Sequence, residues 1–369
     1  DARLILGINF EADSRRIAST ESRALLGAIG PRYVAGFELG NEPEAYSTLG
    51  WYYLHRTFPV LGRRPGYGLN AYLPDYASVS AGLPAGVPLV GPASGAPQWL
   101  VGLGRLLAAE PRIAVATFHR YPLHRCDTPR TSIDYPTIPN LLRPAASSGP
   151  ATSLAAAVAV AHAHHIRFRA DELNSVSCGG ARRVSDTFAA ALWALDTLFN
   201  MDRKQVDGVN VHTFQSAIYA PFAFTHHHGR WRAQVRPMYY GLLLFTRAAP
   251  PGSKLLPTLH RGPSSLRIWT TRGPGGRERV LVINDSPRRS LVVAVRLPGT
   301  PGAAAVARLT APSVSSKRGV TLAGQSFGDQ TSTGILSGTV RTTTIAPTQG
   351  RFVVSLPAAS AALLSTAGP

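Results

Sequence analysis

Short apolar runs alternate with longer amphipathic stretches through the first two thirds of the chain. The apolar runs have the length of buried strands and lie at 4–10, 34–40, 88–92, 113–118, 166–171 and 206–213. The helix-compatible stretches between and after them lie at 19–26, 71–80, 98–109, 154–164, 185–199 and 239–245. Repeating strand–helix units predict a parallel sheet covered by helices.

The stretch 185–199 carries the clearest helix signal. Ser185 is suited to cap the N-terminus of a helix, and Asp186 would follow in its first turn. Phe188, Leu192 and Phe199 recur at helical spacing. We therefore expect the helix to begin at Ser185 and to bury one apolar face.

The pattern changes after Pro250-Pro251-Gly252. Short alternating or apolar runs separated by turn-rich segments follow at 266–271, 280–284, 291–297, 304–309, 319–322 and 352–356. This texture predicts an antiparallel β-sandwich, with the Ser-, Thr- and Gly-rich segment 326–349 as a long loop or weak edge strands. The predicted domains are a catalytic domain at 1–248 and a sandwich domain at 249–369.

Six strands are visible before residue 249, whereas a closed (β/α)8 barrel needs eight. An open doubly wound sheet explains six strands. So does an α/β barrel that lacks its first two strand–helix units in this chain. The positions of two glutamates, described below, favour the barrel.

The composition of the chain suits a large globular protein. Its 369 residues are 44% hydrophobic, which is enough for a sizeable core. Its formal net charge is +18, and nearly all of its positive charge comes from Arg. Because the sequence shows no dense Lys/Arg run and no nucleic-acid-binding motif, we interpret the charge as Arg spread over a solvated surface and expect no nucleic-acid partner. An acidic sugar substrate is compatible with this charge.

No apolar run is long enough to span a bilayer, and no signal-peptide pattern opens the chain. Asp1-Ala2-Arg3 leads directly into the first strand-like run, so we expect that N-terminal sequence is missing. The two cysteines, Cys126 and Cys178, are either free thiols or one disulfide, and their number alone does not fix the compartment.

Glu42 ends the second apolar run, in the segment Phe37-Glu38-Leu39-Gly40-Asn41-Glu42-Pro43. Pro43 removes a backbone donor and biases Glu42 away from helix, as a strand-to-loop exit requires. The Asn41 amide is suited to bind a sugar hydroxyl. A lone Glu-Pro pair is most often an ordinary loop carboxylate, but Asn-Glu-Pro at the end of an apolar strand favours an acid/base residue.

Glu172 ends another apolar run and enters a loop that contains Asn174, Ser177 and Gly179. A nucleophilic carboxylate must stay ionised, and a nearby Arg169 with hydroxyl donors would favour that state. A glycine pair lets the backbone approach a ligand closely. The alternative is a salt bridge at a strand end.

Four aromatic or imidazole side chains follow strand ends. His119 and Tyr121 close the run 113–118, His212 closes the run 206–213, and Tyr219 lies in the loop after it. Each alone is more often a structural residue. At the ends of strands that face one pocket they become candidate sugar contacts, since a buried Tyr hydroxyl needs a partner.

The sequence predicts no metal site and no cofactor. His226-His227-His228 lies in an apparent hairpin turn, where three consecutive imidazoles cannot all face one ion. A Gly-rich phosphate loop, a nucleophile elbow and a dinucleotide fingerprint are all absent from the sequence.

These motifs resemble the heparanase and β-glucuronidase family, glycoside hydrolase family 79. The acid/base segment Phe37–Pro43 and the nucleophile segment Glu172–Gly180 are similar to that family. So are the His-x-Tyr segment at His119, the last barrel helix at Tyr239–Phe245 and the sandwich segment Leu356–Leu364. The resemblance runs along most of the chain, and its most specific part is the nucleophile segment.

The resemblance implies a retaining β-glucuronidase-like hydrolase on a (β/α)8 barrel, with Glu42 ending the fourth strand and Glu172 ending the seventh. Glu42 would be the acid/base and Glu172 the nucleophile. The backbone at Gly179 would hold the sugar carboxylate, and Tyr121 would line the pocket with Tyr219. Some relatives have a Tyr where this chain has Ser177.

The same resemblance places Cys126 and Cys178 in neighbouring loops, so we expect a disulfide that braces the nucleophile loop. The expected substrate is a glucuronide or a glycan that contains uronic acid. The first two barrel units would come from a missing N-terminal segment. A separate chain is one possible source of that segment. We expect a secreted or extracellular protein.

Two other functions fit the residues. One is a retaining glycosidase of different specificity, acting on a xyloside or a galactoside. The other is a carbohydrate-binding protein without catalytic activity. Both glutamates lie in complete motifs, which favours an enzyme.

Overall fold

The computed structural model describes residues 2–297 and 302–367. Strands of the first part of the chain are β1 (Leu4–Ile8), β2 (Val34–Leu39), β3 (Gly50–Leu54), β4 (Phe58–Leu61), β5 (Leu89–Ser94), β6 (Ile113–Arg120), β7 (Arg167–Leu173), β8 (Gly208–Val211), β9 (Phe222–His227) and β10 (Arg230–Val235). Helices are α1 (Arg15–Ile29), α2 (Leu69–Ser80), α3 (Pro97–Val101), α4 (Leu103–Ala109), α5 (Ile138–Leu141), α6 (Pro144–Ala163), α7 (Phe188–Arg203) and α8 (Pro237–Ala248).

The remaining strands follow α8. They are β11 (Lys254–Leu256), β12 (Leu266–Arg272), β13 (Glu278–Asn284), β14 (Leu291–Val295), β15 (Ala304–Thr310), β16 (Thr321–Leu322), β17 (Thr342–Ile345), β18 (Phe352–Leu356) and β19 (Ser360–Thr366). None of the described helices combines the length and the apolar character that a bilayer crossing requires.

Contacts divide the chain into two compact units that do not follow chain order. The first unit holds 1–120, 152–173 and 204–211, and the second holds 121–151, 174–203 and 212–369. The predicted domain boundary at 248/249 stays a prediction.

The first unit is built on an open, six-stranded parallel sheet. Its strand order is β1-β2-β5-β6-β7-β8. The six strands therefore lie side by side in the order in which they occur along the chain. The six strands predicted from the apolar runs are therefore found, and they pair in parallel as predicted. Parallel strands in this order bring their carboxyl ends to one edge. Glu42, which follows β2, and Glu172, near the end of β7, both lie at this edge.

The predicted helix at 98–109 is interrupted by Gly102. A Cβ on Gly102 would lie 1.7 Å from Cδ2 of Leu69, so only glycine lets the chain pass this side chain. Helix α3 therefore ends at Val101, and α4 begins at Leu103.

Helix α7 begins at Phe188 and not at Ser185, so the predicted capping residue is wrong. The Phe188 and Ala189 N–H groups donate to the carbonyls of Ser316 and Val314, which satisfy the first turn in place of a side chain. The Ser185 hydroxyl instead bonds Ser175 and accepts the Ala181 N–H. A distant loop has thus taken the place of the local cap.

The second unit contains antiparallel strands in a sheet of order β11-β12-β13-β19-β15-β16, with β17 also paired to β15. Strands β14 and β18 pair separately. The buried strand β19 lies between β13 and β15, and sequence analysis did not identify it as a strand. Its Ala-rich sequence has a weak strand propensity, and burial on both faces overrides that preference.

Asp196 of α7 joins this helix to the sheet of the second unit. Its carboxylate accepts the Trp269 Nε1–H at 2.7 Å and the Ser147 hydroxyl, and it lies 3.3 Å from Nε of Arg267. Asp196 is buried, so these donors replace the water that its charge would otherwise need. Arg267 also pairs with the buried Asp285 at 3.3 Å.

Replacing Asp196 with Ala is expected to lower the free energy of unfolding by roughly 3–5 kcal/mol, because the change leaves the Arg267 charge underpaired and the Trp269 N–H unsatisfied. Urea denaturation monitored by tryptophan fluorescence measures the change. Asp202→Ala on the exposed face of the same helix is the matched control, expected within about 0.5 kcal/mol of the parent. Equal losses for the two variants would contradict a special role of Asp196.

Candidate active site

Glu42 lies three residues beyond the end of β2 in a strained backbone conformation. Its φ of 47° is in the left-handed region, which a non-glycine residue rarely adopts. The Glu42 N–H donates to the Ala93 carbonyl at 2.8 Å, and Pro43 begins a short 3-10 turn. Left-handed strain of this kind is concentrated at functional sites.

The next carboxylate of the motif anchors this loop. Glu44 accepts the Gly95 N–H beyond the end of β5, and burial raises the pKa of Glu44. A Cβ on Gly95 would lie 3.1 Å from Oε1 of Glu42 and 3.3 Å from Oε1 of Glu44, so glycine at this position leaves room for both side chains. Asn41 is exposed, and its backbone N–H donates to the Tyr46 hydroxyl at 3.0 Å.

His119 brings Glu42 and Glu172 together. Its Nδ1 lies 2.9 Å from Oε1 of Glu42 and 3.6 Å from Oε2 of Glu172, and its Nε2 lies 3.4 Å from Oδ2 of Asp171. The side chains of His119 and Asp171 are 3% and 4% exposed, against 39% for Glu42 and 16% for Glu172. The two glutamates are therefore accessible to solvent, whereas His119 and Asp171 beneath them are buried.

The carboxylates around His119 set its charge. Burial lowers its pKa, but hydrogen bonds to Asp171 and Glu42 and the charges of Asp171 and Glu172 outweigh burial and raise the pKa to about 11. His119 is therefore an imidazolium at neutral pH, and both ring nitrogens donate. It supplies the positive charge beside Glu172 that sequence analysis had assigned to Arg169, which donates to Asn210 at 2.9 Å instead.

Glu38 adds a fourth carboxyl group beneath this cluster. Burial and the charge of Asp171 raise the pKa of Glu38 well above its usual value. The Thr117 hydroxyl donates to Glu38 at 2.8 Å and accepts the Ala93 N–H at 3.1 Å. The raised pKa of Glu38 favours its protonated form, which is suited to donate to Asp171.

Glu38, Thr117 and Asp171 were not predicted as site residues, although each lies in one of the strands predicted from the sequence. The sequence did contain a signal for them, because each is a polar residue inside an apolar run. A buried carboxyl or hydroxyl group needs a hydrogen-bond partner, so such residues are expected to contact one another.

Glu42, His119 and Glu172 each offer a ligand atom, and these atoms lie within 4.8 Å of one another. Metal binding would require a neutral imidazole. In the structure these side chains are joined by the His119–Glu42 hydrogen bond and by the 3.6 Å contact of His119 with Glu172.

The second unit holds the remaining candidate residues. The Tyr121 and Tyr219 hydroxyls lie 2.6 Å and 2.9 Å from Nδ1 of His212, and the Asn174 side-chain amide donates to the His212 carbonyl at 2.8 Å. The two tyrosine side chains therefore meet at the His212 ring, and Asn174 holds the His212 backbone. The Ser177 N–H donates to the Leu123 carbonyl at 2.9 Å.

Cys126 and Cys178 form a disulfide with a Cα–Cα distance of 6.4 Å. Cys178, Gly179 and Gly180 all have positive φ. The Gly179 carbonyl accepts the Ile218 N–H at 2.7 Å. A Cβ on Gly180 would lie 3.0 Å from the Tyr219 ring, so glycine is needed for this close approach. The loop after β7 is thus held from several sides.

Comparisons with known proteins agree with this architecture. Residues 268–363 match the family model described as "Glycosyl hydrolase family 79 C-terminal beta domain". A 4-O-α-L-rhamnosyl-β-D-glucuronidase from Fusarium oxysporum 12S superimposes with a TM-score of 0.73 at 18% identity, over 98% of this chain and 76% of that one. None of the curated protein sequences matches the chain.

Two other solved structures share the fold at lower identity. A family 51 arabinofuranosidase from Xanthomonas axonopodis pv. citri has a TM-score of 0.67 at 13% identity, over 99% of this chain and 76% of that one. A family 44 xyloglucanase from Paenibacillus polymyxa has a TM-score of 0.61 at 11% identity, over 95% and 70%. At these identities the likeness establishes the fold alone.

The raised pKa of His119 predicts a pH-dependent contribution to stability. Its folded pKa of about 11 lies above its ordinary value of 6.5, so this contribution is complete below pH 6.5 and is lost as the pH rises toward 11. His119→Gln is expected to lower the free energy of unfolding by roughly 3 kcal/mol at pH 6.5, and by less at pH 10.

Urea denaturation of parent and variant at pH 6.5, 8 and 10 measures this trend. His162→Gln is the matched control, because His162 also contacts a carboxylate, Asp207 at 2.8 Å, but is 36% exposed. Its effect is expected to stay below about 1 kcal/mol. A His119 effect that does not change with pH would show that its charge is not what stabilises the site.

Proposed function

We propose that this chain is a glycoside hydrolase of family 79 and that it cleaves β-linked uronic acid with retention of configuration. The observation that carries the mechanism is the spacing of the two glutamates, since a carboxylate oxygen of Glu42 lies within 4.8 Å of one of Glu172. Retaining enzymes hold their carboxyl groups about 5–5.5 Å apart, and inverting enzymes leave room for a water at roughly 6.5–9.5 Å.

In this proposal Glu172 attacks the anomeric carbon, and Glu42 gives its proton to the departing oxygen. Glu42 then takes a proton from the water that releases the sugar from Glu172, which restores both residues. The greater exposure of Glu42 suits a residue that exchanges a proton with water. The cationic His119 suits a residue that holds Glu172 ionised and oriented.

The six parallel strands are proposed to be the third to eighth strands of a (β/α)8 barrel. Their order supports this assignment, as does the placement of Glu42 and Glu172 after the second and fifth of them. The domain division at 248/249 belongs to the same proposal. The Cys126–Cys178 disulfide supports a secreted protein, because disulfides persist in oxidising compartments.

The substrate proposal rests on the family and on charge. The similar Fusarium enzyme is a glucuronidase, and a net charge of +18 attracts acidic glycans. Asn41, Tyr121, Asn174, Ser177, Gly179, His212 and Tyr219 are the proposed sugar contacts. The second candidate is a glycosidase of different specificity, favoured by the fold shared with arabinofuranosidases and a xyloglucanase.

Glu172→Gln is expected to lower kcat/KM on 4-nitrophenyl β-D-glucuronide by at least about 10³-fold, because an amide cannot form the glycosyl-enzyme. Asp202→Asn, an exposed carboxylate change, is the control and should keep parental activity. Full activity of the Glu172 variant would overturn the nucleophile assignment.

Azide separates the two roles. With Glu172→Ala, azide is expected to occupy the vacated site and give the α-glycosyl azide. With Glu42→Ala, it should attack the glycosyl-enzyme and give the β-glycosyl azide. Proton NMR of the products distinguishes the anomers. The opposite pairing of variant and anomer would exchange the two roles.

Substrate choice is tested with four nitrophenyl glycosides: the β-D-glucuronide, β-D-xyloside, β-D-galactoside and α-L-arabinofuranoside. We expect kcat/KM for the glucuronide to exceed the others by about 10-fold or more, which corresponds to about 1.4 kcal/mol of transition-state binding. The preference should weaken at high ionic strength. Preference for another glycoside would favour the second candidate.

A further inference from the structure

An antiparallel hairpin with an exposed aromatic surface follows the Glu42 loop. Strands β3 and β4 pair only with each other among the described strands. We call this element the aromatic hairpin. It carries a cluster of exposed large apolar side chains: Leu49, Trp51, Tyr52, Tyr53, Leu54 and Phe58. Exposed apolar clusters of this kind mark interaction surfaces, and this one has no role in the chemistry described above.

The aromatic hairpin is fixed to the edge of the sheet that carries the catalytic carboxylates. The Arg63 guanidinium, just past β4, donates to the Phe10 and Glu11 carbonyls beyond the end of β1 at 3.0 and 2.9 Å. The Arg63 N–H donates to the Tyr46 carbonyl at 3.0 Å, and the Tyr46 hydroxyl accepts the Asn41 N–H. The base of the hairpin is therefore tied to the residue next to Glu42.

The rings of the aromatic hairpin are also ordered by its backbone. Gly50 lies beneath Tyr53, since a Cβ there would lie 3.1 Å from the Tyr53 ring and 2.9 Å from Pro59. The Trp51 and Tyr52 rings meet edge to face, with their centroids 5.7 Å apart. Trp51 is nevertheless 44% exposed and Tyr53 57% exposed. These side chains are thus packed against their neighbours and still about half exposed.

The tip of the hairpin is strained and cationic. His55 and Arg56 both have positive φ, at 51° and 63°, and the Thr57 N–H closes the turn on the Leu54 carbonyl at 3.0 Å. Gly adopts this conformation at little cost and Asn and His are enriched in it, whereas Arg is not. Strain of this kind persists where the side chains have a use.

We propose that the aromatic hairpin binds the sugar rings of an acidic glycan on the leaving-group side of the bond that Glu42 protonates. This inference rests on the proposed function and deepens it, because it makes the substrate an oligosaccharide. Pyranose rings present C–H faces that stack on aromatic rings. The carboxylate or sulfate groups of the glycan would meet Arg56 and, beside it, His55.

The position of the hairpin is what selects this occupant. The acid/base residue protonates the leaving group, and the base of the hairpin is hydrogen-bonded through Tyr46 to Asn41, the residue next to Glu42. A neutral apolar partner would gain nothing from the two basic tip residues. An acidic sugar chain uses both the rings and the charge.

The first test measures binding and turnover of a hexasaccharide of alternating glucuronate and N-acetylglucosamine. Trp51→Ala combined with Tyr53→Ala is expected to raise the Kd for the hexasaccharide about 10-fold, as measured by calorimetry. The loss of kcat/KM should be larger for the hexasaccharide than for the nitrophenyl glucuronide. Trp231→Ala is the matched control, because Trp231 is an exposed aromatic residue of the other hairpin, β9–β10. Its hexasaccharide binding should be parental.

The second test changes the tip. His55→Asn with Arg56→Gly is expected to raise Tm, because the new residues fit the positive φ. It should also weaken hexasaccharide binding about 3- to 10-fold in low salt at pH 6. The difference in binding should disappear in 1 M NaCl. A variant that is more stable and yet binds the acidic hexasaccharide as tightly as the parent would overturn the cationic part of the proposal.

The remaining outcomes separate the inference from the function on which it rests. Parental turnover of the nitrophenyl glucuronide without any hexasaccharide binding would overturn the inference alone. Hexasaccharide binding that depends on the hairpin, without turnover of either substrate, would overturn the proposed function and keep the binding surface. A concentration-dependent dimer that the Trp51/Tyr53 variant abolishes, with unchanged hexasaccharide binding, would assign the hairpin to a second copy of the chain.

Discussion

One buried cation holds the carboxylates of the first unit together. Without the imidazolium of His119, the buried carboxylate of Asp171 would lie unpaired beside that of Glu172. The protein balances them with a residue whose ordinary pKa would leave it neutral, because the surrounding carboxylates hold its proton. The pKa of Glu38 is raised by burial and by the charge of Asp171, so a further negative charge at the base of the cluster is disfavoured. Catalytic geometry and charge balance therefore come from the same few side chains.

The apolar runs predicted the parallel sheet well because a strand buried on both faces reads as a continuous apolar segment. Glu42 and Glu172 were found for the same reason, since each interrupts such a segment at its carboxyl end. His119 was identified as a candidate, but its charge was not. That charge depends on carboxylates from two other strands, which only the folded sheet brings within reach. Arg169 was the nearest cation along the chain, yet its side chain extends to Asn210.

Other elements escaped prediction because they depend on distant partners. The first turn of α7 is satisfied by carbonyls of Val314 and Ser316, far along the chain, so the local capping signal at Ser185 was misleading. Strand β19 has the composition of a helix or a loop and becomes a strand only because β13 and β15 flank it. The aromatic hairpin has neither the alternation nor the Asn-Gly turn of a typical hairpin, since its exposed rings and strained tip are not optimised for folding.

The open ends of the parallel sheet have a consequence for the handling of this chain. Strands β1 and β8 each pair with one neighbour among the described strands, so each keeps a second edge at which the remaining strands of the proposed barrel would pair. The sequence of β1, Leu-Ile-Leu-Gly-Ile, has no Pro and no charge to discourage pairing with another chain. Aggregation through this edge would remove the chain from solution without disturbing the carboxylates. Loss of soluble protein and loss of catalytic competence are therefore separate properties, with separate structural origins.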